Sequence, residues 1–348
     1  MESKLLRLIT ESFFAQEVPA ALSKFTFNLN GFFIEVISFD SVFLHQMTKS
    51  FEHLKVKNSN KAIKIDLTIY LLGENANHIE DELSLFVTTK KNLLRIQSSK
   101  VKFLYNPGFN GAHVNFSYFN EQKKIAAFWV RDIKNIPEFE KASPFRMILN
   151  WWVETKGWFL LHAASVGYLD KGLIIVGKSG KGKTSTALTA LTTGKLSYIG
   201  DDYILLDQKK NPWAVSLYSS AKLDSLTVKR FPELKKAITK SKDPTQKSTV
   251  YLNDFDSKKI VRTLPVKAVV IPQVKNSKES TYESIPPSQA LFALAPSTIF
   301  QLLPENPTTH SFSDITKLVS KLPCYQFYAG HDKNIIAQKL KELLDELN

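Results

Sequence analysis

The chain has 348 residues, more than one hydrophobic core usually organises, so two domains are expected. Hydrophobic residues at 43% and charged residues at 23% exclude a disordered or fibrous chain, and the single Cys324 excludes a disulfide framework or a cysteine-based zinc or iron–sulfur site. A formal charge of +13 favours anionic partners, but the basic residues form no stripe with interleaved aromatics, which disfavours nucleic acid.

The opening MESKLLRLITESFF carries Glu2 and Glu11 and does not read as a secretory signal. No apolar run approaches the roughly 18 residues of a spanning helix, so a cytoplasmic protein without a membrane span is expected. Residues 1–23 read as one or two helices, with Leu5, Leu6, Leu8, Ile9, Phe13 and Phe14 near a helical repeat.

From Phe25 to Arg131 the pattern turns to strands: FTFNLNGFFIEVISF, IKIDLTIYLL, LSLFVTT, NLLRIQSS, VKFLYN, HVNFSYF and KIAAFWVRD. Hairpin-length gaps between them predict an antiparallel sheet and a β-rich domain of α+β type. The texture changes near residues 135–143, which divides the chain into a β-rich domain 1–138, for substrate or partner recognition, and an α/β domain 139–348. In the second, SPFRMILNWWVETKG reads as a helix with Ser143 as N-cap and Pro144 at the first helical position. Strands follow over Phe159–Val166 and Leu173–Val176, then a helix over Thr184–Thr192, then strands over Leu196–Ile199 and Tyr203–Asp207. Ile335–Leu347 reads as an amphipathic closing helix.

Seven of the 13 glycines fall between Gly167 and Gly200. Within that stretch, Gly177, Lys178, Ser179, Gly180, Lys181, Gly182, Lys183 and Thr184 spell G-x-x-x-x-G-K-[ST] after an apolar strand and before a helix. Glycines let successive backbone amides face one anion-sized concavity, and the helix start adds partial positive charge. Lys183 would reach the outer phosphates of a nucleotide, and the Thr184 hydroxyl would ligate magnesium. Ser179, Lys181 and Ser185 complete the candidate ATP-binding set.

Asp201 and Asp202 stand 17 and 18 residues beyond Thr184, at the end of an apolar stretch. One carboxylate there would serve magnesium and the other would accept a proton from an attacking hydroxyl. Adjacent residues on a strand face opposite ways, so the two should differ in role unless the turn at Gly200 re-aims them. His162, in LLHAASV, is expected on the strand before the glycine loop and close to Asp201.

These residues carry a resemblance. The run from LLHAASVGYLDKGLIIVGKSGKGKTSTALTAL to LSYIGDDYILL resembles the catalytic core of HPr kinase/phosphorylase and its serine-kinase-like relatives, which include the kinases that phosphorylate lasso-peptide precursors. The resemblance spans roughly residues 144–225. It implies a P-loop kinase domain of the HPr-kinase/phosphoenolpyruvate-carboxykinase type behind the β-rich domain. It also implies Asp201 as the catalytic carboxylate, Asp202 on the magnesium side, and His162 steadying Asp201 or the phosphoryl group. Lys183 would hold phosphates and Thr184 would bind magnesium. The family's second signature, with a metal-ligating glutamate, has no counterpart; SLYSSAKL stands at about that place.

The reading is therefore a Mg²⁺- and ATP-dependent kinase acting on a hydroxyl of a peptide, a protein or a small molecule, with a homo-oligomer allowed. A nucleotide-binding regulator or peptide-binding module using the same loop is the alternative. Lys222 and Lys247 read equally as phosphate or substrate contacts and as surface lysines.

Overall fold

The structure is a computed structural model and describes residues 22–57, 63–74, 94–98, 100–108, 113–207, 211–241, 246–302 and 309–347. The helix expected over residues 1–23 lies almost wholly outside that set, as does the strand LSLFVTT. The architecture is mixed α/β, with mixed sheets. Its contacts divide into two units: Met1–Lys49 with Leu54–Thr155, and Ser50–His53 with Lys156–Asn348.

The first unit holds strands β1 (Ser23–Leu29), β2 (Phe32–Ser38), β3 (Leu67–Leu72), β4 (Leu94–Gln97), β5 (Val101–Asn106), β6 (Asn115–Asn120) and β7 (Ile125–Val130). The run read as one strand, FTFNLNGFFIEVISF, is a hairpin. Asn30 (φ 50) and Gly31 (φ 97) form a two-residue turn, with Leu29 paired to Phe32. Asn-Gly suits such a turn because both residues tolerate positive φ. The sheet order is β1-β2-β3-β7-β6-β5-β4. The expected antiparallel sheet is in fact mixed, because β3 runs parallel to both β2 and β7. After β2 the chain passes through helix α1 (Ser41–Thr48), which packs on β1 and β2, and such a crossover permits parallel pairing. Asp40 caps α1 by accepting from the amides of Val42 and Phe43. Aromatic rings fill the core: Phe103 lies against Phe116 at 5.5 Å, and Phe116 stacks on Trp129 at 5.4 Å.

Helix α2 (Glu138–Ala142) precedes α3 (Arg146–Glu154). Ser143 ends α2 instead of capping α3; the residue before α3 is Phe145, left-handed at φ 57 and fully buried edge-on against Phe128. Aromatic burial thus sets this helix start, not the Ser-Pro signal. Trp152 of α3 meets Phe32 edge-on at 5.5 Å, so the helix belongs with the first sheet. The structural division accordingly follows Thr155, whereas sequence texture divides the chain at 138/139.

The second unit contains β8 (Trp158–Leu161), β9 (Ala164–Tyr168), β10 (Lys171–Ile175), helix α4 (Lys183–Thr192), β11 (Ser197–Gly200), β12 (Ile204–Asp207), β13 (Trp213–Val215) and β14 (Ser220–Leu223). Then come α5 (Ser225–Arg230), β15 (Ile238–Thr239), β16 (Ser248–Tyr251), α6 (Asn253–Asp256), β17 (Thr263–Val274) and β18 (Thr281–Ile285). Helices α7 (Pro287–Leu302) and α8 (Thr309–Lys321), strand β19 (Cys324–Ala329) and the closing helix α9 (Lys333–Glu346) complete it.

The main sheet runs β11-β9-β10-β17-β13-β12-β8, with β19 parallel to β17 and β18 antiparallel to β19; β14, β16 and β15 make a separate small sheet. Alternate residues along β10 and immediately after it face opposite cores. Leu173 and Ile175 pack with Leu188 of α4 and Leu340 of α9, whereas Ile174 and Val176 pack with Leu294 of α7 and Ile315 of α8. Burial of side chains this size stabilises by about 1.5–3 kcal/mol each, which holds β10 and the loop after it firmly. No helix among the described residues is long and apolar enough to cross a membrane.

Candidate functional site

All contacts in this section lie within the second unit. β10 ends at Ile175 and α4 starts at Lys183, so the glycine motif is the strand-to-helix connection. Gly177, Gly180 and Gly182 have φ of 143°, 80° and 99°, a region that side chains strain to occupy. A Cβ at Gly182 would also lie 3.3 Å from Cγ2 of Val274 on β17. No side chain caps the start of α4, which leaves its first-turn amides to the loop concavity.

Ser179 and Lys181 are exposed on the loop, while Thr184 and Ser185 are half-buried in the first turn of α4. The Lys183 side chain is buried and curls back, its Nζ donating to the carbonyl of Gly177 at 2.6 Å. Burial holds this ammonium below its ordinary range and Lys247 adds repulsion, while Asp201 and Asp202 act the other way. The acidic pair and Lys247 therefore lie near the Lys183 ammonium at the loop.

β11 is not next to β10; β9 lies between them, antiparallel to both. Two antiparallel steps leave β11 running in the same sense as β10, so its C-terminal end and the glycine loop emerge at the same edge of the sheet. Asp201 and Asp202 follow directly. The Tyr203 amide donates to the Asp201 carbonyl at 2.7 Å across a three-residue turn, with Asp202 left-handed at φ 65 in its centre. The reversal is therefore centred on Asp202, two residues beyond the glycine that sequence pointed to.

The turn gives the two carboxylates different surroundings. Asp201 is 1% exposed, and neither of its oxygens has a hydrogen bond of normal geometry. Burial raises its pKa and the Asp202 charge adds to the effect, while the nearby Thr184 hydroxyl and Lys183 favour the ionised form. Asp202 is held instead. Its Oδ2 lies 2.6 Å from Lys222 Nζ, and its Oδ1 lies 3.3 Å from His162 Nε2. Burial works against its charge, but Lys222 and His162 together outweigh burial and keep Asp202 well below the usual carboxylate range.

Two expectations for His162 change. His162 does not sit on a strand: the segment Phe159–Val166 is β8 and β9, which pair in different parts of the sheet, and His162 occupies the break between them. Its partner is Asp202, not Asp201, because the left-handed turn swings Asp202 toward it. The His162 amide donates to Thr298 Oγ1 at 3.2 Å, its ring lies 5.4 Å from Tyr203, and its Nδ1 is buried without a partner. The expected metal-side role of Asp202 also fits poorly, since cationic and imidazole groups occupy both of its oxygens. The carboxylate of the pair whose oxygens lack such partners is Asp201.

Lys222 is the principal residue of this cluster that sequence left undecided. It projects from β14 and also lies 5.9 Å from the Tyr203 ring centre. The small sheet delivers it: Lys222 pairs with Thr249 of β16, whose strand starts immediately after Lys247. Tyr198 of β11, fully buried, donates from its hydroxyl to the Ser220 carbonyl at 3.3 Å and ties β14 to the acidic pair's strand. Burial, reinforced by both aspartates, pushes the Tyr198 phenol well above its usual range. Among the described residues no group of three or more His, Cys, Asp or Glu forms a metal cage.

No protein-family model matches the chain, and no curated protein matches it. Among solved structures, the HPr(Ser) kinase/phosphatase from Coxiella burnetii aligns over 53% of this chain and 95% of its own, at 11% identity and a TM-score of 0.28. At that score and identity the likeness establishes neither family nor function.

Proposed function

We propose that the second unit is a Mg²⁺- and ATP-dependent kinase that transfers the γ-phosphoryl group to a hydroxyl of a peptide, a protein or a small molecule. The observation that carries this reading is Asp201: a carboxylate 1% exposed, with both oxygens unpartnered, beside the Thr184 hydroxyl where a positive-φ glycine loop enters a helix. A buried carboxylate in that state costs stability unless a ligand, a metal or a proton engages it. The sequence resemblance to HPr-kinase-like proteins points to the same chemistry.

The loop amides and the start of α4 would hold the triphosphate, and Lys183 would leave the Gly177 carbonyl for a phosphate oxygen. Magnesium fits the Thr184 hydroxyl and an Asp201 oxygen, and when bound it would neutralise phosphate charge. Asp201 would accept the acceptor's proton as the hydroxyl oxygen bonds to the γ-phosphorus and the bond to the β-phosphate oxygen breaks. Asp202 would orient His162 and Lys222, not the metal.

The test is phosphoryl transfer from γ-labelled ATP with Mg²⁺ to peptide and metabolite fractions of a cell extract, with Asp201→Asn as control. Label entering one fraction with the intact protein alone supports the kinase and identifies the acceptor class. Saturable ATP binding with no transfer to any fraction moves the assignment to a nucleotide-binding regulator.

A further inference from the structure

We propose that Lys222 is a second phosphate ligand of this site, held on Asp202 in the free protein and released to a bound polyphosphate. The proposal rests on the nucleotide-site reading of the glycine loop but not on phosphoryl transfer. Lys222 Nζ and Asp202 Oδ2 are 2.6 Å apart, yet 17% and 21% of their side chains remain exposed, so the pair is accessible to an incoming anion. The backbone at Asp202 is left-handed, a conformation that a non-glycine residue keeps only where its surroundings over-determine it. In that conformation its carboxylate contacts both Lys222 and His162.

The neighbouring lysine behaves alike. Lys183 Nζ sits on the Gly177 carbonyl, also a negative group that a phosphate oxygen would replace. Two ammonium groups beside one loop each rest on an internal oxygen. Independent of both, Asp201 Oδ1 and Oδ2 and His162 Nδ1 are buried without partners at the same place, which marks a site built to receive a ligand. Lys222 is anchored for this role on two sides. Its strand pairs with β16, and the Ser220 carbonyl, two residues earlier, accepts from buried Tyr198.

An exchange of this kind has a thermodynamic signature. A ligand that takes Lys222 from Asp202 must break the existing pair, so removing the Asp202 charge strengthens binding and removing the Lys222 charge weakens it. A purely structural ion pair gives both variants the same sign, through loss of order in the site.

The experiment is calorimetric titration of inorganic triphosphate with Mg²⁺ into the full-length protein, comparing the parent with Lys222→Ala, Lys222→Arg and Asp202→Asn. Each variant is checked for folding by its thermal transition. Affinity should fall about tenfold or more in Lys222→Ala, return to within about threefold in Lys222→Arg, and rise in Asp202→Asn. Binding weakened alike by Lys222→Ala and Asp202→Asn, or no triphosphate binding by the parent, overturns the proposal. Opposite-sign responses without transfer from ATP would keep the phosphate ligand and discard the kinase.

Discussion

His162 Nε2 lies 3.3 Å from Asp202 Oδ1, while neither oxygen of the adjacent Asp201 has a hydrogen bond of normal geometry. The left-handed turn at Asp202 separates two neighbouring carboxylates into one that is neutralised by partners and one that is not. Burial disfavours the charge on both, but only Asp202 has a cation and an imidazole that outweigh it. Asp201 is raised toward protonation, whereas Asp202 is stabilised as an anion.

Removing the cation and removing the proposed base should separate binding from chemistry. Lys183→Ala should abolish tight Mg-ATP binding, whereas Asp201→Asn should bind ATP within a few-fold of the parent and lose transfer by roughly a hundredfold or more. Equilibrium binding and single-turnover transfer on the same preparations distinguish the two. Normal turnover by Asp201→Asn would remove Asp201 from the role of base.

The same substitution should stabilise the fold. Because the folded-state pKa of Asp201 is raised, ionisation costs stability that is present at low pH and lost as pH rises through that raised value. Asn cannot ionise, so Asp201→Asn should be about 1–2 kcal/mol more stable than the parent at neutral pH, with the gap closing in acid. Urea unfolding of both proteins between pH 4 and pH 8 measures it. A variant less stable at neutral pH would mean that Asp201 has a partner in solution.

Gly182 should tolerate no side chain. With φ at 99° and Val274 Cγ2 3.3 Å from a Cβ, Gly182→Ala should cost about 1–2 kcal/mol and weaken nucleotide binding together. Gly194→Ala, at φ 70° just after α4 and with open space around its Cβ out to 4.0 Å, should cost a similar amount and leave binding intact. Equal binding losses in both would point to general loosening of α4 and not to the loop.

Outside the site, His53 should make the second unit acid-sensitive. Its Nε2 lies 2.8 Å from Ser216 Oγ, and its Nδ1 is enclosed without a partner, although the residue as a whole keeps some exposed surface. Burial, with Arg262 nearby adding repulsion, brings its pKa down to about 3, against the stabilising influence of the Ser50 backbone. The folded state therefore resists protonation that the unfolded chain accepts. Stability should be complete above about pH 6.5 and fall by up to about 1.4 kcal/mol per pH unit on the way to pH 3. His53→Asn should flatten that part of the curve in a pH series of denaturation midpoints; an unchanged slope would assign the acid sensitivity to other groups.

Local chemistry made much of this molecule legible in one dimension. G-x-x-x-x-G-K-T after an apolar run sits between β10 and α4, because φ of 143°, 80° and 99° at Gly177, Gly180 and Gly182 is a demand that glycine meets without strain. The closing helix was equally readable, since Ile336, Leu340, Leu343 and Leu344 recur at helical spacing and are all buried in α9. Asn30-Gly31 carried a hairpin signal just as local, but the long apolar run around it masked the turn.

What sequence by itself determined is the loop, its lysine and hydroxyl, and an acidic pair at the end of the following strand. Each of these depends on backbone freedom or on periodicity within a few residues. Tertiary structure decided the rest: the parallel pairing of β3, the placement of α3 with the first sheet, and the choice of partners for Asp201, Asp202, His162 and Lys222. His162, Asp202 and Lys222 come from three separate segments, and their meeting depends on the order in which strands enter a sheet. One left-handed residue then determines which carboxylate faces its partners and which stays open. Neither the strand order nor that φ angle leaves a periodic trace in the chain.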